Sequence, residues 1–148
     1  MASDAALTAP WPHGTYYPIY LGPLTYFAEQ QDTTGEERVA SFKTPFAFNV
    51  KKAFLWIAEG TLAEGGSDTI AVKDDSSSQI TVVASRNLST ADDAGTYLEL
   101  TVADEGPILG NSELSLYYEN NGTGEVVGMT VLLWVSPVHA DTGLPLIL

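Results

Sequence analysis

The stretch TYLELTVA, Thr96–Ala103, decides the fold class of this chain. Leu98, Leu100 and Val102 alternate with Glu99 and Thr101. That period of two marks a strand with one face buried and the other in water. Toward the N-terminus the pattern repeats in QITVVA (Gln79–Ala84) and TIAVK (Thr69–Lys73), separated by the turn cluster Asp74–Ser78. Before them AFLWIA (Ala53–Ala58) is apolar on both faces, which predicts a central, well-covered strand. Phe46, Phe48 and Val50 share one face, Lys51 and Lys52 interrupt the run, and Gly60, Gly65 and Gly66 bracket a loop. Arg38–Lys43 is a shorter mixed strand behind a polar loop at 28–37. Asn87–Gly95 is polar and suits one helical turn, with Ser89 or Thr90 as its cap and Asp92 and Asp93 behind it.

Toward the C-terminus ELSLYY (Glu113–Tyr118) alternates again. NNGTG (Asn120–Gly124) reads as a hairpin turn, because Asn-Gly tolerates positive φ. Val126–Val135 closes the set, with Met129, Val131, Leu133 and Val135 on one face and Leu132 and Trp134 on the other. About eight short strands with regular turn punctuation predict an all-β chain: an antiparallel, jelly-roll-like β-sandwich. Periodicity alone does not separate a jelly roll from an immunoglobulin-like order.

Two flanks differ from this middle. Residues 1–27 hold Pro10, Pro12, Pro18 and Pro23 with Trp11, Tyr16, Tyr17, Tyr20, Tyr26 and Phe27. The prolines exclude a long helix and a central strand, so the segment is expected to be an extended N-terminal arm. Residues 136–148 leave at Pro137 and end in Leu144, Leu146, Ile147 and Leu148. Burying four such side chains is worth roughly 6–12 kcal/mol at most, so a docking tail is expected. The division is therefore arm 1–27, sandwich 28–135 and tail 136–148. The subunit contacts expected are Trp11, Tyr16, Tyr17, Tyr20, Leu144, Leu146, Ile147 and Leu148.

Nineteen acids face six bases, a net charge of -13. Nucleic acid and anionic membrane surfaces reward clustered cations, so neither is an expected partner. The chain has no cysteine, which excludes disulfides, thiolate metal sites and a cysteine nucleophile. The start, Met1-Ala-Ser-Asp, lacks the basic and apolar regions of a secretion signal, and synthesis in a cytoplasm is expected. His13 sits in the arm and His139 in the tail, the latter two residues before Asp141, and neither stands beside a serine nucleophile motif. The paired acids Asp74-Asp75, Asp92-Asp93 and Asp104-Glu105 fall in loops. Two carboxylates hydrolyse glycosides only across a shared cleft, and the sequence marks none. Asp74, Asp75 and Ser77, or Asp92 and Asp93, offer oxygens to calcium but lack the loop signature of a built site. No enzymatic activity, cofactor or metal is expected. Trp11, Tyr16, Tyr17, Tyr20, Tyr117 and Tyr118 are aromatics able to stack on sugar or to pack at an interface.

The run FAFNVKKAFLWIAEGTLAEGGSDTIAVKDD, then AGTYLELTVAD, then NSELSLYYENNGTGEVVGMTVLLWV resembles the capsid decoration, or cement, proteins of tailed bacteriophages. The resemblance lies in strand and loop style and carries no motif whose residues transfer. It implies a compact sandwich on the capsid exterior, assembled in the host cytoplasm, often trimeric, clamping neighbouring copies of the major capsid protein. A carbohydrate- or receptor-binding module of a phage fibre is the alternative. That reading requires exposed aromatics gathered in one strip.

Overall fold

The computed structural model describes residues 17–24, 35–61, 68–76, 79–121, 125–139 and 141–144. They form eight strands: β1 (Tyr17–Leu24), β2 (Gly35–Lys43), β3 (Phe48–Thr61), β4 (Asp68–Asp74), β5 (Thr81–Leu88), β6 (Tyr97–Val102), β7 (Glu113–Asn120) and β8 (Glu125–Pro137). No helix occurs among the described residues.

The order across the sheet is β1-β8-β3-β6-β5-β4-β7-β2, every pairing antiparallel. The join between β6 and β5 is only two residue pairs long, Ala84 with Val102 and Ser85 with Thr101. The sheet therefore folds there into two four-stranded layers, β1-β8-β3-β6 and β5-β4-β7-β2. Successive strands alternate between layers except β4 and β5, which form a hairpin in one layer, and this order is that of the eight-stranded jelly roll. It settles what periodicity left open.

The core follows from the alternation. Phe48, Val50, Ala53, Leu55 and Ile57 of β3 point inward, against Met129, Val131, Leu133 and Val135 of β8 and Leu98 and Leu100 of β6. Ile70, Val72, Leu114, Leu116 and Tyr118 close it from the other layer. A register shift between Val50 and Lys52 lets the long β3 bend while keeping its apolar side chains on one face. Gly128 takes φ 71°, a conformation that costs a side chain with a Cβ, inside the equally long β8. Among the described residues one acid is wholly buried: Asp68 accepts from the Tyr118 hydroxyl at 2.7 Å and the Asn121 N–H at 3.0 Å, which fixes β4 to the end of β7.

Three expectations change. First, the sandwich starts at Tyr17, inside the stretch expected to be an arm: β1 pairs with β8, Tyr17 opposite Val135 and Ile19 opposite Leu133. Pro18 and Pro23 are compatible with it because β1 is an edge strand. Second, β8 runs on through Ser136 and Pro137, which pair with Asn49 and Phe48. Third, the strands on either side of Asn120–Gly124 do not pair, since β7 lies between β4 and β2 while β8 lies between β1 and β3. Asn-Gly chemistry reports a reversal of the chain and not which sheet the next strand joins.

Candidate functional site

Three surfaces of the sandwich differ in chemistry. The outer face of β2, β7 and β4 is polar, and several of its charged groups pair with one another. Lys73 lies 2.6 Å from Glu36 and 4.5 Å above the Tyr117 ring. The Tyr117 hydroxyl donates to Asp75 at 2.9 Å, and Arg38 donates to Glu113 at 2.8 Å. Burial and that bond to Asp75 push the Tyr117 phenol above its usual range.

The outer face of β3, β6 and β8 is aromatic. Register places Trp56 opposite Tyr97 on one side and Thr130 on the other, and Phe54 opposite Glu99 and Leu132. Side chains in register share a face. The Trp56 and Tyr97 rings meet at 5.2 Å with a 51° tilt, and Phe54 meets Tyr97 edge-on at 6.4 Å. Tyr97 remains 62% exposed. Trp56, Tyr97, Thr130 and Leu132 line a concavity of about 340 Å³. Farther along β3 and β6, Lys51, Lys52, Glu99 and Thr101, with Arg86 of β5, line a second, of about 420 Å³.

The third surface is one end of the sandwich. The connections at 44–47 and 103–112 meet there, as do residues 75–76 and 79–80, the start of β1 and the end of β8. It carries Phe46, Ile80, Val82, Leu109 (50% exposed) and Leu144 (62% exposed), which are the exposed large hydrophobic side chains among the described residues apart from Tyr97. The loops beneath are tied down. Thr44 donates to Ser112 O through its N–H at 2.9 Å and to Leu109 O through its hydroxyl at 2.7 Å. Phe48 and Ile108 exchange two backbone bonds, Val138 donates to Ala47 O at 3.0 Å, and His139 donates to Leu144 O at 2.8 Å. Gly110 packs against the backbone of Phe46, and Gly143 against Pro107.

Of the residues expected to contact other subunits, Leu144 lies at this end with its side chain in water. Tyr17 and Tyr20 belong to β1, opposite Val135 and Leu132 in register. Trp11, Tyr16, Leu146, Ile147 and Leu148 lie outside the described residues, as does His13. His139 is exposed on the tail turn. Tyr118 is a core residue and Tyr117 a member of the polar network, so neither is a free stacking surface. Asp92 is absorbed by structure: it takes a 2.6 Å bond from Arg86 and caps the Ser89 N–H at 2.9 Å. Burial raises its pKa, but these bonds and the Arg86 charge outweigh that and leave it below the ordinary value. Asp75 is held by Tyr117, and no group of three His, Cys, Asp or Glu able to hold a metal occurs among the described residues.

Sequence reading missed Phe54, Trp56 and Tyr97 as surface groups. The signal was present: β3 and β8 are both apolar on two faces, and such strands side by side leave an apolar outer face. Phe46, Ile80 and Leu109 had no comparable signal, because they come from separate turns.

No protein-family model matches the chain, and no curated protein matches it. Among solved structures the chain is similar to PirA at 14% identity, with 80% of this chain and 92% of that chain covered and a TM-score of 0.38. It is similar to the CBM22-1–GH10 modules of the Clostridium thermocellum endo-1,4-β-D-xylanase 10B, solved with xylohexaose, at 14% identity and a TM-score of 0.36. That match covers 81% of this chain and only 26% of the xylanase chain.

Proposed function

We propose that this chain is a non-enzymatic structural protein of a virus particle that decorates the capsid exterior and binds neighbouring subunits through one end of its jelly roll. One observation carries the reading: exposed Phe46, Ile80, Val82, Leu109 and Leu144 gather at the end where β1 begins and β8 finishes. Exposed apolar groups concentrated in one region mark association surfaces. Hydrogen-bonded loops present Phe46 and Leu109, so little freedom is lost on contact. β1 starts at this end with Tyr17, opposite Val135. The neighbours proposed are further copies of this chain, as a trimer, and the major capsid protein. No nucleic-acid or membrane partner is proposed for a chain of net charge -13. Five of the six basic side chains are engaged in ion pairs on the strand faces, a pattern that serves solubility and architecture.

The test is assembly. Phe46→Asp with Leu109→Asp should leave the thermal melt within a few degrees of wild type, convert the sedimenting trimer to monomer, and prevent incorporation into shells of the major capsid protein. A double variant that still assembles and incorporates sinks the reading.

A further inference from the structure

We infer that the outer face of β3 and β6 is a binding site for a neutral oligosaccharide, with Trp56 and Tyr97 as its stacking floor and Lys52, Glu99 and Thr101 as its hydrogen-bonding edge. This face is separate from the end proposed for assembly. Tyr97 opens β6 at the opposite end of the molecule from Phe46 and Leu144.

The face is chemically divided along the strands. At one end the Trp56 and Tyr97 rings and Leu132 line an open concavity, with the Thr130 hydroxyl among them. At the other, Lys52 and Glu99, 3.5 Å apart and each more than half exposed, share a concavity with Thr101. Phe54 lies between the two in register. From residue 56 to residue 52 a strand rises roughly 13 Å, long enough for a short saccharide chain. A pyranose has the matching division: an apolar face of C–H groups and an edge of hydroxyls that both donate and accept. Glu99 accepts, the Lys52 ammonium donates, and the threonines do both.

The rings are also held for the purpose. Tyr97 keeps most of its surface in water, yet Trp56 at 5.2 Å and Phe54 at 6.4 Å fix its orientation. A ring already positioned loses little freedom on stacking.

Charge selects the class of sugar. Lys51, Lys52 and Arg86 line the groove, half of the bases in the chain. Each already faces a carboxylate: Glu105 at 3.2 Å, Glu99 at 3.5 Å and Asp92 at 2.6 Å. The groove therefore presents hydrogen-bonding groups without an excess of positive charge, on a chain that is strongly negative overall. A polyanionic glycan or a nucleic acid would meet repulsion and no free cation cluster.

The test titrates the full chain, by tryptophan fluorescence and calorimetry, with neutral gluco-, manno- and galacto-oligosaccharides and with heparin and hyaluronan fragments. Saturable binding of at least one neutral oligosaccharide is expected. Tyr97→Ala and Trp56→Ala should each weaken it by about ten-fold or more, the loss of one stacked ring. Phe46→Asp at the far end should leave it unchanged. Tyr97 is exposed, so its removal spares the core, and Trp56→Phe replaces Trp56→Ala if the latter melts early. Four results overturn the inference: no neutral sugar binds, the ring variants bind as wild type, binding is confined to the acidic fragments, or the same substitutions instead abolish a dimer formed through this face.

Discussion

At the scale of single residues, two buried or half-buried acids show how the fold uses charge without chemistry. Asp68 is fully buried and takes hydrogen bonds from Tyr118 and Asn121. Tyr118→Phe keeps the ring and removes one donor from a buried carboxylate. The expected loss is about 1–3 kcal/mol, read as a lower urea midpoint with an unchanged slope. Asp92 shows the same principle through pH. Arg86 and the Ser89 N–H hold its folded pKa below the ordinary value against the opposing effect of burial. Its contribution to stability is present at neutral pH, where Asp92 is ionised in both states. It is lost as pH falls through the unfolded and then the folded pKa, because the unfolded chain takes up the proton first. Arg86→Met should therefore lower stability at neutral pH and flatten its decline on the acid side. Urea midpoints measured from about pH 6 down to about pH 2 check the slope.

At the scale of elements, β3 and β8 are the spine. They are the longest strands, lie side by side at the middle of one layer, and carry apolar side chains on both faces. Their inner and outer rows do different work. Leu55 is fully buried, and Leu55→Ala should cost about 2–5 kcal/mol through lost burial and the cavity left behind, measured by equilibrium unfolding. Neighbouring Phe54 and Trp56 are half-buried on the outer row, and Tyr97 is mostly exposed. Substitution there should move ligand binding far more than stability. Alternation in β6 was legible from its letters alone. The outer aromatic face was not, because it arises only when β3, β6 and β8 become neighbours.

At the scale of the whole molecule, charge and apolar surface are set against each other. Each chain carries a net charge of -13, so copies repel one another. In the proposed assembly the exposed Phe46, Leu109 and Leu144 would oppose that repulsion at one end. Salt screens the first effect and leaves the second, so self-association should strengthen as ionic strength rises across the range where the screening length falls from about 30 Å to about 10 Å. Sedimentation equilibrium at increasing salt checks this. A trimer that weakens with added salt would mean that ion pairs, and not apolar contact, hold it.

The amino-acid sequence by itself determined the all-β class and the inward rows of β3, β6, β7 and β8. Those are local properties, because side-chain direction alternates within each strand regardless of its neighbours. Tertiary structure alone decided that Tyr17–Leu24 is an edge strand of the sandwich, that β7 and β8 belong to opposite layers, and that Trp56 meets Tyr97 across two strands. It also decided that Phe46, Leu109 and Leu144 share one end. These depend on which strands pair at long range. Pairing is chosen by how whole faces bury together, and no single stretch of letters encodes that.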